Sequence, residues 1–243
     1  PAHHWKSQIG SRGFPALALG LAPSLEVIVV SFSADLANSF TYDGGDDLKG
    51  DWYQERFPEK CISTDRKGIT RWRTTQGGGY HPIGVGGSIS GSGATLLVID
   101  DIVKNEQEAR SADILDKHYR RYQSSIYNRL SPGGAILLLM TRWSDADLPG
   151  RLLAAEAEGE GDEWEVVNSP DIATRDEEFR AKGDALHPER FSLSDLNPIR
   201  LVSGPDEWAI LYQQDPVPPG GEYVREEWVN RYEPEAVLED PSW

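Results

Sequence analysis

The chain has 243 residues, 38% of them hydrophobic, with eight tryptophans and a formal net charge of −16; this fits one large domain, or one domain plus an appendage, with a sizeable core. The single cysteine, Cys61, excludes an internal disulfide and a thiolate metal cluster, and the acidic balance excludes a wholly basic nucleic-acid coat while leaving room for a local basic face. No apolar run approaches membrane-spanning length and no signal peptide is visible, which points to a cytosolic compartment; the chain starts at Pro1 and reads as a piece of a longer protein.

The N-terminal stretch, PAHHWKSQIGSRGFPALALG, places Lys6-Ser7 ahead of a helical pattern, like the last two positions of G-x-x-x-x-G-K-[ST]. In that loop the lysine reaches the terminal phosphates of a nucleotide and the hydroxyl reaches Mg²⁺. Trp5 stands where the second glycine belongs, and the first glycine would precede Pro1. Gly10, Gly13 and Pro15 predict a short or kinked helix. Residues 26–31, EVIVVS, read as a buried β-branched strand. Ser33 is positioned to cap a helix over residues 34–40. Gly44-Gly45 should break that pattern, with a second helical piece running to Phe57 before Pro58. Residues 69–75 alternate as an exposed strand, residues 76–79 turn, and residues 80–85 return as a hairpin.

Residues 86–105, GGSISGSGATLLVIDDIVKN, organise the rest. A glycine–serine run leads into residues 95–99, which read as a strand buried on both faces, as in a parallel sheet. Asp100 and Asp101 follow at its carboxyl end, where open α/β sheets bind ligands. Two adjacent carboxylates tolerate each other when one holds a divalent cation and the other activates a water. This has the shape of a Walker B element; the plainer alternative is a strand that ends in a solvated Asp-Asp turn.

Ser111 caps a predicted helix that reaches Arg129, with Leu115, Tyr119, Tyr122, Ile126 and Leu130 as its core-facing stripe. Pro132-Gly133-Gly134 should stop it. Residues 135–140, AILLLM, form a third predicted buried strand, ending in Thr141-Arg142-Trp143. A Thr-Arg pair at the end of a central strand lies beside the proposed Mg²⁺ site, either to sense the terminal phosphate or as a strand-end salt bridge. A short helix is expected over residues 147–155 and an edge strand over residues 164–167. Acids concentrate between residues 156 and 178. Two basic clusters, Arg66, Lys67, Arg71 and Arg73, and Lys117, Arg120, Arg121 and Arg129, read as solvated surface or as a local DNA-binding face. From residue 168 the periodicity fades and prolines recur, which predicts a subdomain of short pieces and then a linker at residues 216–221. The division is therefore residues 1–167 for a P-loop-like α/β core and residues 168–243 for a subdomain and linker.

These pieces in this order resemble the N-terminal ATPase domain of the large terminase subunit of tailed bacteriophages. The resemblance is carried by His4-Trp5-Lys6-Ser7 with Gly13-Phe14-Pro15, by the stretch SFSADLA at residues 31–37, and by Gly84-Val85-Gly86-Gly87 leading to Leu97-Val98-Ile99-Asp100-Asp101. It is also carried by Thr141-Arg142-Trp143 with Asp147-Leu148 and Gly150-Arg151, and by Leu211-Tyr212-Gln213-Gln214 before the proline-rich tail. The resemblance implies an α/β, three-layer P-loop NTPase with a mainly parallel central sheet and a small C-terminal subdomain. It implies an ATP hydrolase that couples turnover to translocation of double-stranded viral DNA into a procapsid, in the host cytoplasm.

It further implies Mg²⁺ and ATP as cofactors. Implied partners are the viral DNA, the portal protein, the small terminase subunit and further copies in a ring; no membrane is implied. The implied roles are Asp101, Lys6 and Arg142 in catalysis; His3, His4, Trp5, Lys6 and Ser7 at the nucleotide; Ser7 and Asp100 at the metal; and Thr141 and Arg142 in coupling. Cleavage, which the family assigns to a C-terminal nuclease domain, is not expected from these residues. Trp5, His3 and Ser92 depart from the family's glycine and arginines at the phosphate site, and Asp101 is one methylene shorter than the usual glutamate. Two other readings stay open: a nucleotide-impaired structural subunit of the same fold, and another P-loop ATPase such as a helicase.

Overall fold

Runs of β-branched and aliphatic residues build the centre of the chain. The computed structural model describes residue 1 and residues 4–58, 71–89, 91 and 93–216. His3, Ser92, Cys61, Arg66, Lys67, residues 69–70 and the linker from residue 217 lie outside the described residues. Helical backbone begins at Lys6 and runs through a wide π-helical stretch, Gln8–Gly13, into α1, Phe14–Leu21. The kink expected from Pro15 is absorbed there: the Phe14 N–H bonds to the Ile9 carbonyl five residues back, so the wider register accommodates a proline near the start of α1. Gly10 does not interrupt the helix. It sits directly against the Leu139 side chain, where a Cβ would collide.

Strand β1, Glu26–Ser31, appears where the sequence places it. Helix α2, Ala34–Asp47, is capped by the Ser33 side chain on the Leu36 N–H. Contrary to expectation it continues through Gly44-Gly45. Both glycines are buried, and Gly45 faces the Trp72 indole, which donates to the Thr41 carbonyl at 3.3 Å. Helix α3, Asp51–Arg56, follows. The predicted hairpin is β2, Trp72–Arg73, antiparallel to β3, Gly79–Gly84. Strand β4, Ala94–Asp100, carries the two aspartates to its end.

Helix α4, Glu106–Ala109, and α5, Ala112–Arg121, with Ser111 as its cap, come next. The helical path reaches Arg129 through a π turn, Tyr122–Ile126, and a 3₁₀ turn, Tyr127–Arg129. Strand β5, Leu130–Leu139, starts before the Pro132-Gly133-Gly134 stop. A register shift against β4, with Gly133 at φ 76°, takes up those residues as a bulge. Helix α6, Leu148–Ala157, is capped by Asp147.

The sheet order is β2-β3-β1-β4-β5, with β3, β1, β4 and β5 parallel. Alternation sends Val27, Val29, Leu96 and Val98 to one face, against Ala16 and Leu19 of α1, Phe40 of α2 and Tyr53 of α3. It sends Ile28, Val30, Leu97 and Ile99 to the other, against Tyr122, Ile126 and Leu148 and Leu152 of α6. Helices therefore cover both faces, which is the expected three-layer α/β arrangement. Strand β5 is a correction: it ends the row rather than sitting centrally, and its aliphatic residues are half-buried. Residues 164–167 form no strand, because Val166 and Val167 are exposed and offer no buried face.

Residues 171–212 gather a small core of Ala185, Leu196 and Trp208. It is longer in helix than the short pieces predicted. Helix α7, Leu193–Leu211, is kinked at Gly204 (φ 77°) ahead of Pro205. The Gln213 side chain pins its end by donating to the Ile172 carbonyl at 3.0 Å and accepting from the Ile172 N–H at 3.1 Å.

Candidate nucleotide site

The strand period decides where the two aspartates point. Asp100 shares a face with Leu96 and Val98, toward the helical stretch after Lys6. It accepts from Ser7 Oγ at 3.1 Å and from Ser11 Oγ at 2.7 Å, and it is fully buried. Burial raises its pKa, against the pull of the Ser11 and Ser7 hydrogen bonds. Ser11 is held in turn by the Tyr80 hydroxyl, which donates to its carbonyl at 2.8 Å.

Asp101 takes left-handed backbone, φ 43°, as β4 ends. Its N–H donates to the Leu139 carbonyl at 2.8 Å, and its Oδ1 accepts from the Thr141 N–H at 2.8 Å. Its Oδ2 pairs with Lys6 Nζ at 2.7 Å, and Lys6 also donates to Thr141 Oγ1 at 3.2 Å. Lys6, Ser7, Asp100, Asp101 and Thr141 are thus one cluster, although up to 135 residues separate them in sequence.

Three predicted residues point elsewhere. Arg142 turns to Asp147, with Nε at 3.3 Å, and to Asp145 at 3.5 Å. Asp147 is fully buried; it caps α6 at the Gly150 N–H (2.9 Å) and accepts the Trp143 N–H (3.0 Å). Trp5 has φ 57°, the left-handed conformation a glycine adopts freely. The residue is 54% exposed, and its indole is turned toward Arg190 and His187. The His4 ring, 8% exposed, lies beside Asp171, Nδ1 to Oδ1 3.3 Å. Burial pushes the Asp171 carboxyl up to about 7. Sequence reasoning missed Ser11, although its spacing of four from Ser7 places both hydroxyls on one helix face. It also missed Arg190 and Asp171, which no local pattern connects to residues 4–5.

The Ser7 hydroxyl and the Asp100 carboxylate are hard oxygen donors of the kind a Mg²⁺-type cation takes. Among the described residues no group of three or more His, Cys, Asp or Glu side chains is arranged to hold a metal.

Solved structures with this fold include the ATPase domain of the large terminase of Thermus phage P74-26. It is 13% identical, with a TM-score of 0.55 over 89% of this chain and 86% of that one. An arginine-to-alanine mutant of the same domain gives 14% identity and a TM-score of 0.54 over the same shares. At this identity the likeness shows the fold alone. No curated protein matches the sequence significantly. A family model described as the terminase large subunit, T4-like-virus type, N-terminal, matches residues 2–209, and the chain belongs to that family of phage terminase large subunits.

Proposed function

We propose that this domain is the ATPase motor of a phage DNA-packaging terminase, with the cluster around Lys6 as its nucleotide site. One observation carries the reading: Lys6 meets Asp101 while the adjacent Ser7 meets Asp100, so the lysine–hydroxyl pair and the acid pair lie face to face. In this role Lys6 binds the terminal phosphates of ATP, exchanging its contact with Asp101 for phosphate oxygens. Ser7 and Asp100 would hold Mg²⁺, which would supply neutralisation of the phosphate charge. Asp101 orients the attacking water and takes its proton. Thr141, bonded to both Lys6 and Asp101, reports the state of the site to Arg142. The motor acts on double-stranded viral DNA in the host cytoplasm, as a ring on the portal with the small terminase subunit. The nuclease reaction is not assigned to these residues.

A nucleotide-impaired structural subunit is the second reading, and the strained φ of Trp5 favours it. The placement of the indole weighs the other way, because its ring contacts are with Arg190 and His187 and not with Lys6 or Ser7. The test is ATP turnover by the complete terminase, parent against Asp100→Asn. Asparagine keeps the shape; its Oδ1 can accept from one of the two serines while its amide N–H donates to the hydroxyl oxygen of the other, so melting should change little. Turnover should fall by about tenfold to a hundredfold, the scale of losing support at a metal. A parent that neither binds nor hydrolyses ATP would establish the structural reading instead.

A further inference from the structure

We propose that Arg190 is a positioning residue for the phosphate loop: by stacking on Trp5 it holds in place a backbone conformation that glycine would otherwise supply. This rests on the nucleotide reading of Lys6 and Ser7. The Arg190 guanidinium carbon lies 4.5 Å from the centre of the Trp5 ring, within cation–π range. The His187 ring meets the same indole edge-on, 6.4 Å between centroids and 68° between planes. Among the described residues, Arg190 makes no ion pair with a carboxylate.

The preceding loop residue is gripped from the same side. The His4 ring packs on Phe191 at 5.3 Å, and its Nδ1 lies 3.3 Å from Asp171. The Arg190 and Phe191 N–H groups both donate to the His187 carbonyl, at 3.0 and 2.8 Å, so one tight turn presents all three side chains. That turn runs straight into the Ser192–Asp195 capping box of α7, a firm base for it. Two consecutive loop residues, His4 and Trp5, are therefore clasped by one turn located about 180 residues later in the chain.

The physical logic turns on φ. A tryptophan at φ 57° is strained, and such strain persists only where surroundings over-determine it. The clasp provides those surroundings. It directs the indole outward and leaves the backbone N–H groups next to Lys6 in the arrangement that wraps phosphate. With glycine at residue 5 the conformation needs no such support, and Arg190 keeps only its indirect contact with the loop, through Phe191, whose ring centre lies 5.5 Å from the guanidinium carbon.

The experiment is a double-mutant cycle on the complete protein: parent, Arg190→Ala, Trp5→Gly and the double variant. Calorimetry with a non-hydrolysable ATP analogue and Mg²⁺ reads affinity, and melting reads fold. Arg190→Ala should weaken binding about fivefold when Trp5 is present, the range of a partly exposed cation–π contact, and by less than about twofold when residue 5 is glycine. Arg190→Lys, which keeps the cation, should retain most of the affinity. Equal losses in both backgrounds, or none in either, would overturn the positioning role while leaving the nucleotide site standing. No binding by any of the four forms would overturn the nucleotide reading, and the positioning role with it.

Discussion

Trp5 and Asp101 both hold left-handed backbone without being glycine, and each borders the cluster that the sequence singles out. Trp5 was legible as a problem, since a bulky side chain stands where the loop pattern asks for glycine. Its solution was not, because Arg190 is brought to it only by the tertiary fold. Asp171 was invisible for the same reason: nothing nearby in sequence marks a buried acid. Its carboxyl is pushed up to about 7 by desolvation, against an ordinary value of 3.8, with Arg180 pulling the other way. The folded chain then keeps that proton at pH values where the unfolded chain has released it. The associated stability is complete below about pH 4 and is lost as pH rises to about 7. Asp171→Asn removes the cost of the buried charge. Melting measured at pH 5 and pH 8 should show the variant gaining on the parent at the higher pH. A variant that melts below the parent at pH 8 would mean that the ionised carboxylate is held favourably there, by His4 at 3.3 Å, rather than costing stability.

The boundaries of β1, β4 and α6, and the end of α3, were legible because periodicity and caps act locally. The glycines misled because their meaning depends on what lies opposite. Gly44-Gly45 reads as a break, yet α2 runs through it against Trp72. Strand β5 reads as buried and central, yet its place at the end of the row follows from sheet order, which no local pattern encodes. Two substitutions separate the kinds of glycine. A Cβ on Gly84 would come within 2.7 Å of the Ala34 backbone nitrogen, where β3 ends against the start of α2. Backbone cannot give way as a side-chain tip can, so Gly84→Ala should cost about 1–3 kcal/mol. A Cβ on Gly44 would meet nothing within 4 Å, so Gly44→Ala should add about 0.5–1 kcal/mol by restricting the unfolded chain. For a chain of this size each kcal/mol moves Tm by about 2–4 °C, and calorimetric melting will resolve both signs.

At the scale of the whole molecule, no single motif pointed to a terminase; their order along the chain did, and the fold brings five of the named residues into one cluster. What the order left open is the direction of Arg142, which faces α6 rather than Lys6. A line of direct contacts follows from this: Lys6 to Thr141 at 3.2 Å, Arg142 to Asp147 at 3.3 Å, and Asp147 to the first turn of α6. Helix α6 is tied onward, since Arg151 pairs with Asp116 of α5 at 2.6 Å. Contact alone does not demonstrate coupling; the physical requirement is an element whose position the site can bias. Helix α6 is the candidate for that element, because its cap is held by the residue that follows Thr141. Arg142→Ala should leave ATP turnover within about threefold of the parent, since Arg142 touches none of the proposed catalytic groups, yet lower DNA packaged per ATP by about tenfold, a coupling in the common 1–3 kcal/mol range. The buried Asp147 keeps its backbone donors in the variant, so α6 should remain folded, which circular dichroism can check. The decisive measurement is packaging into procapsids alongside ATP consumption in one assay. A proportional fall in both quantities would place Arg142 at the nucleotide and remove α6 from the path.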